Sequence, residues 1–304
     1  MAMDIRSQAW AAAVTAVGLI GLSTPAAASI FHPHASTPPR SSAASADAIV
    51  AQVQQALDEQ RLLDAGRMLD RAMVTGVQDP RLTLLSGELD LTRGRPTEAL
   101  ASFTIAQSTA ATRPRALQGA GIALAMLSRS ADAVPMLRQA VEADPAAWRA
   151  WNVLGVEYDR RREWTSAEDA YAHALAAHPD APEVLNNRGF SRLLQQRYDD
   201  AVADLVSALE HRPDLVAART NLRLAMAMRG EYDRAIAGGA SADQPALLNN
   251  AGFAALIRGD YVRGTALLEQ AIRLKGEYYA RASQNLDLAH QMAAQGAATP
   301  HAAP

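Results

Sequence analysis

The sequence of 304 residues contains no cysteine, a single lysine (Lys275) and few aromatic residues, which make up 5% of the chain. Without cysteine the protein can form no disulfide, perform no thiolate chemistry and carry no lipid on a cysteine near its N-terminus. The formal charge of −3 provides no bulk attraction to nucleic acid. We therefore expect no nucleic-acid partner.

Short catalytic motifs are also missing from the sequence. The chain contains no glycine-rich phosphate loop ending in Gly-Lys-Ser/Thr, no His-Glu-x-x-His and no Gly-x-Ser-x-Gly. The histidines that follow the first 34 residues stand singly, so they do not form a zinc-ligand pattern. We expect no catalytic residue, no cofactor, no metal site and no small-molecule substrate, and hence no enzyme.

The first 28 residues are typical of a secretory signal peptide. A weakly positive start is followed by an apolar run from Ala9 to Leu22, by Pro25, and by small residues ending at Ala28. The alternative is an uncleaved membrane anchor, although this run is short for a membrane span. Residues 29–46 and 295–304 lack an apolar period, so we expect a disordered linker and a disordered tail. The protein is expected to be exported and periplasmic.

The intervening sequence repeats with a period of 34 residues. Proline recurs in the same context at Pro145, Pro179 and Pro213. Glycine and alanine keep the same spacing in two further columns, at Gly87, Gly121, Gly155 and Gly189 and at Ala65, Ala99, Ala133, Ala167, Ala201 and Ala235. A fixed period of this length is the signature of a helix-turn-helix solenoid, in which stacked helical pairs form extended binding surfaces.

One unit displays the helical pattern in full. Its apolar residues recur at the spacing of one helical face, and Pro179 ends it because proline cannot continue a helix interior. The unit resembles the tetratricopeptide repeat (TPR) family at eight positions: Trp151, Leu154, Gly155, Tyr158, Ala167, Tyr171, Ala174 and Pro179. The resemblance covers about residues 47–294. It implies an all-α TPR superhelix of about six helix-turn-helix repeats with a C-terminal capping helix.

In TPR solenoids the first helix of each pair lines the inner groove, and the resemblance therefore implies a protein or peptide partner. Six asparagines occupy the predicted first helices: Asn152, Asn186, Asn187, Asn221, Asn249 and Asn250. An asparagine side chain offers both a donor and an acceptor, so the series Asn187, Asn221 and Asn250 can read a peptide backbone. Alternatively, these asparagines bridge adjacent first helices.

Arginines lie on the same predicted helices and add a second set of candidates. Arg188 and Arg192 stand where the repeat usually has apolar residues, and they can attract an acidic segment or a C-terminal carboxylate. The alternative is ordinary solvated helix charge. Together with the asparagines, these two arginines form the predicted partner-binding set.

Three segments resemble, more narrowly, the TPR proteins encoded with Flp-type (tight-adherence) pilus systems: residues 186–214, 218–236 and 247–261. This resemblance implies an exported scaffold that assembles a pilus or secretion apparatus, although many such proteins have the lipid-attachment cysteine that this chain lacks. Alternatives are a self-associating structural or spacer protein of the cell envelope and a regulatory domain for a separate enzyme.

The signal peptide provides a direct test. If it is cleaved after Ala28, N-terminal sequencing of the exported protein should begin at Ser29, because small residues fill the cleavage site. A mature form that still contains Trp10 and partitions with membranes would contradict this prediction and indicate an anchor.

Overall fold

The computed structural model describes residues 46–275 and 279–298. The predicted signal peptide (1–28), all of the predicted linker except Ala46, and residues 299–304 of the predicted tail lie outside the described residues. Within them the chain forms fifteen α-helices and one short 3₁₀ helix, and no strand. The expected all-α class is therefore confirmed.

The described residues divide into two compact units between Pro179 and Asp180. The N-terminal unit contains four helical pairs. Their bounds are α1 (Ala46–Asp58) with α2 (Leu62–Val74), α3 (Pro80–Thr92) with α4 (Pro96–Ala106), α5 (Arg113–Met126) with α6 (Ser130–Ala143), and α7 (Trp148–Arg160) with α8 (Trp164–Ala177). The first helices lie side by side in the order α1, α3, α5 and α7.

The C-terminal unit contains three helical pairs and a final helix. Their bounds are α9 (Pro182–Leu194) with α10 (Tyr198–His211), α11 (Val216–Arg229) with α12 (Tyr232–Ile236), α13 (Gln244–Arg258) with α14 (Tyr261–Lys275), and α15 (Ala280–Ala298). The 3₁₀ helix Ser241–Asp243 precedes α13. The described residues thus contain seven pairs, whereas about six were expected, and α15 extends past the predicted boundary at residue 294.

Every pair turns through a residue in the left-handed backbone region. These residues recur at the repeat period and are Gln60, Gly94, Ser128, Arg162, Gln196, Gly230 and Gly259, with φ between 58° and 91°. In each turn the amide of the following residue donates to a carbonyl five residues back, as Glu163 does to Tyr158 at 2.9 Å. This arrangement satisfies carbonyls at the end of the first helix. The last two turn residues are 29 apart instead of 34, so the repeat is five residues short around α12.

The glycine column permits the two helices of a pair to approach each other. A Cβ atom added to Gly155 would lie 2.5 Å from the Tyr171 ring, closer than packed carbon atoms allow. The same clash would occur at four other glycines, each with the large side chain sixteen residues later: Gly87 with Phe103, Gly121 with Leu137, Gly189 with Leu205, and Gly252 with Leu268. The predicted glycine column is therefore the contact line between first and second helices.

Gly155→Ala tests this contact. The added methyl group would overpack against the fully buried Tyr171, so we expect a loss of about 1–3 kcal/mol in the free energy of unfolding by denaturant. Gly66→Ala is the matched control, because its Cβ would meet the end of the long Arg93 side chain, which can move aside by giving up one exposed hydrogen bond to the Leu62 carbonyl. The control should be neutral, or gain about 0.5–1 kcal/mol from helix propensity. Equal effects at both sites would refute the close-approach explanation.

Candidate functional site: the first-helix faces

In the N-terminal unit the first helices converge on one side. The Arg115 guanidinium on α5 donates to the Glu88 carboxylate of α3 at 2.7 and 2.9 Å and to the Gln54 amide oxygen of α1 at 3.0 Å. One side chain thus reaches both preceding first helices, so this side of the unit is concave. We call the surface formed by Gln54, Glu88, Arg115 and Arg149 the N-terminal inner face.

Charges on the N-terminal inner face are mostly paired. Burial raises the pKa of Glu88, and the charge and hydrogen bonds of Arg115, together with the charge of Arg149, oppose that shift. At the edge of this face Arg81 donates to the Asp47 carboxylate at 2.6 Å. Arg149 is exposed, as Arg115 is, but unlike Arg115 and Arg81 it forms no ion pair among the described residues. Its guanidinium carbon lies 4.4 Å from the centre of the Trp148 ring, which holds the charge in place.

The asparagines of α9 and α11 form a buried bridge between these helices. The Asn221 amide donates to the Asn186 side-chain oxygen at 3.0 Å, and the Asn186 amide donates to the Asn187 side-chain oxygen at 3.1 Å. All three are buried, with 8%, 3% and 7% of their surfaces exposed. Asn187 and Asn221 were expected to face an open groove. Instead, the geometry is that of the structural alternative, in which the amides tie adjacent first helices together.

The same bridge recurs at the end of the C-terminal unit. The Asn285 amide of α15 donates to the Asn249 side-chain oxygen at 2.9 Å, and the Asn249 amide donates to Asn250 at 3.2 Å. Asn249 is buried, whereas Asn250 is exposed and so is the one member of the predicted ladder open to solvent. Asn152 is also buried, but it lies on α7 in the N-terminal unit.

Arg188 and Arg192 are held by one carboxylate. Arg188 donates two hydrogen bonds to Asp204 of α10, at 2.7 and 2.9 Å, and Arg192 donates a third at 2.8 Å. Their side chains are 19% and 14% exposed, so they pack between α9 and α10 and do not form an open positive surface. The two arginines occupy slots that are apolar elsewhere because Asp204 supplies the compensating charge.

Sequence reasoning missed the partners that decide these roles. Asp204, Asn285, Glu88 and Arg115 were not selected, although Arg81, Arg115 and Arg149 recur at the repeat period and could have indicated an ordered row. The sequence contained no comparable signal for Asp204 or Asn285. Their contacts depend on how close the helices lie.

Two further properties of the described residues bear on function. No group of three or more His, Asp or Glu side chains within them is placed to hold a metal ion. None of the helices in this part of the chain is long and apolar enough to cross a membrane.

A double-mutant cycle tests the asparagine bridge. Asn221→Ala would leave the Asn186 oxygen buried without its donor, so we expect a loss of about 1–3 kcal/mol in the free energy of unfolding. Asn186→Ala and the double variant complete the cycle, which should give a coupling energy of at least about 0.5 kcal/mol. Additive effects measured by denaturant unfolding would show that the two amides do not interact.

Comparison with known proteins places the repeats in a family. A family model described as tetratricopeptide repeat matches residues 119–182 and 154–208. An auxiliary subunit of the N-terminal acetyltransferase A complex from Arabidopsis thaliana, NAA15, is 31% identical over 104 residues, or 34% of this chain. Protein FlbA from Caulobacter vibrioides is 30% identical over 128 residues, or 39% of this chain. The matches span only 11% and 22% of these two relatives.

Solved structures show the same fold at low sequence identity. A chain of the APC/C hetero-tetramer Cut9–Hcn1 matches with a TM-score of 0.60 and 15% identity, over 81% of this chain and 49% of its own. PilW, a type IV pilus biogenesis factor, matches with a TM-score of 0.52 and 16% identity, over 81% of this chain and 100% of the PilW chain. A thermophilic TPR protein from Thermus thermophilus matches with a TM-score of 0.51 and 21% identity, over 59% of this chain and 98% of the Thermus chain. Taken with the 34-residue columns and the helical pairs, these matches show that the chain has the tetratricopeptide repeat fold, with the family model matching residues 119–208.

Proposed function

We propose that this chain is an exported scaffold that holds a segment of a partner protein along the N-terminal inner face. The TPR fold implies a protein-binding scaffold, because its stacked pairs form an extended surface without a catalytic pocket. The single observation that carries the location is Arg149, an exposed cation on a concave surface whose other charges are paired.

The chemistry of this face favours a segment that offers a carboxylate or a series of backbone carbonyls. A guanidinium can donate two parallel hydrogen bonds to such a group, and a hydrogen bond to a charged group is worth about 1.5–3 kcal/mol. Gln54 adds a neutral amide on the same face. Because Arg115 and Glu88 already neutralise each other, Arg149 is the residue that would select the partner's charge.

The finer part of the proposal is that the partner belongs to a pilus or secretion apparatus. Three observations support it: the signal-like N-terminus, the resemblance of residues 186–214, 218–236 and 247–261 to TPR proteins of Flp-type pilus systems, and a fold shared with PilW. The fold similarity alone does not distinguish pilus factors from other TPR proteins. The role therefore depends mainly on the sequence features.

A second candidate function is self-association as a structural or spacer protein of the envelope. It is favoured by exposed apolar side chains on α2 and α4, namely Leu63, Met73, Val74 and Ile105. Concentration-dependent dimerisation without any other partner would support it.

A crosslinking pull-down from the cell envelope, with the purified chain as bait, tests the proposal. Arg149→Ala should weaken capture of the partner about tenfold or more, since 1.4 kcal/mol corresponds to a factor of ten. Arg234→Ala is the matched control, because Arg234 is an exposed arginine on the second helix α12. Melting temperatures of both variants should stay near that of the unchanged chain.

Two results would contradict different parts of the proposal. Equal capture by the Arg149 and Arg234 variants would refute the N-terminal inner face as the binding surface. Capture that depends on Arg149 but brings down no pilus or secretion component would leave the scaffold in place and refute the pilus role.

A further inference from the structure

A cleft of about 640 Å³ opens between the second helices α2 and α4, on the N-terminal unit. Its floor is formed by buried Leu69 and Leu82, and its rim carries Met73 and Ile105, which are 67% and 64% exposed. This is the size range of pockets that hold small ligands or large side chains. The first helix α3 contributes Leu82, Thr83 and Ser86 to the lining, but none of the four residues that define the N-terminal inner face belongs to it.

The lining of the cleft selects an apolar occupant. Its one acidic residue, Asp79, is held by Arg81 at 2.6 Å, and the remaining polar groups include serines, a threonine and a glutamine. Half of the large apolar side chains that are exposed in the described residues, four of eight, lie on α2 and α4. Met73 and Ile105 are the two of these that line the cleft, so an apolar occupant there would remove both side chains from water.

The position of α1 points to a nearby source for that occupant. The side chain of Asp47, in the first turn of α1, accepts a hydrogen bond from Arg81 at 2.6 Å. Arg81 in turn follows Asp79 and Pro80, which line the cleft. The chain that precedes Ala46 therefore enters the structure beside one end of the cleft.

The preceding sequence contains one suitable group. Between residues 29 and 45, Ile30 and Phe31 are the only large apolar side chains. The 14 residues between Phe31 and Ala46 can extend to about 50 Å and span about 20 Å on average for a flexible chain. A tether of this length gives an effective local concentration in the millimolar range.

We propose that Ile30 and Phe31 dock intramolecularly into the cleft between α2 and α4, so that the chain covers its own apolar surface. Phe31 fills the apolar floor above Leu69 and Leu82, and Ile30 contacts the rim residues Met73 and Ile105. Docking depends only on the segment that follows Ala28, so it occurs with or without removal of the signal peptide. It is also independent of the partner-binding surface proposed above.

Engineered cysteines can test this contact cleanly, because the full chain contains none of its own. We would introduce His32→Cys next to the docking pair and Ser108→Cys at the exposed edge of the cleft. Under mild oxidation, an intramolecular disulfide should form at least about tenfold faster than in the control pair His32→Cys with Gln52→Cys, whose second thiol is exposed on α1, nearer to His32 along the chain but outside the cleft lining. Adding Phe31→Ser to the first pair should reduce its rate about tenfold.

The outcomes separate the possible occupants. Equal rates for the two cysteine pairs, or no effect of Phe31→Ser, would overturn the proposal. Disulfide-linked dimers whose yield rises with protein concentration would overturn it in favour of a second copy of the chain. Circular dichroism of each variant checks the fold, and both Ser108 and Gln52 are exposed, so the helices should be retained.

Discussion

The contact between a small residue on the first helix and a large one sixteen residues later is the constraint on which the helical pairs depend. Five glycines make this contact, and a Cβ at any of them would lie within 2.9 Å of its partner side chain. Close approach buries Phe103, Tyr171 and their counterparts, and such burial stabilises each pair by removing apolar surface from water. The alanine column follows from the same approach, since Ala167 and Ala201 are fully buried.

The irregular pair α11–α12 lacks this contact. Arg223 takes the slot of the glycine, and Gly239, sixteen residues later, lies beyond the end of α12. Arg223 donates to the Ala237 carbonyl at 3.3 Å, directly after the last residue of this helix. The helix ends after five residues, and Gly238 follows in the left-handed backbone region at a φ of 68°.

Polar side chains perform two different tasks on the first helices. In the C-terminal unit they hold helices together, through the asparagine bridges Asn186–Asn221 and Asn249–Asn285 and through the pairing of Arg188 and Arg192 with Asp204. In the N-terminal unit, Arg115 performs this task and leaves Arg149 exposed. Partner recognition is therefore proposed for the unit whose inner face carries Arg149, although the asparagines had indicated the C-terminal unit.

The sequence by itself determined the all-α class, the period and the residues in contact along each pair, because the spacing of columns such as Gly155 and Ala167 specifies which helix faces must meet. Only the tertiary structure decided the roles of Asn221 and Arg188. An amide or a guanidinium at a given position can serve a ligand or a neighbouring helix equally well, and what distinguishes them is whether a partner such as Asn186 or Asp204 lies within about 3 Å.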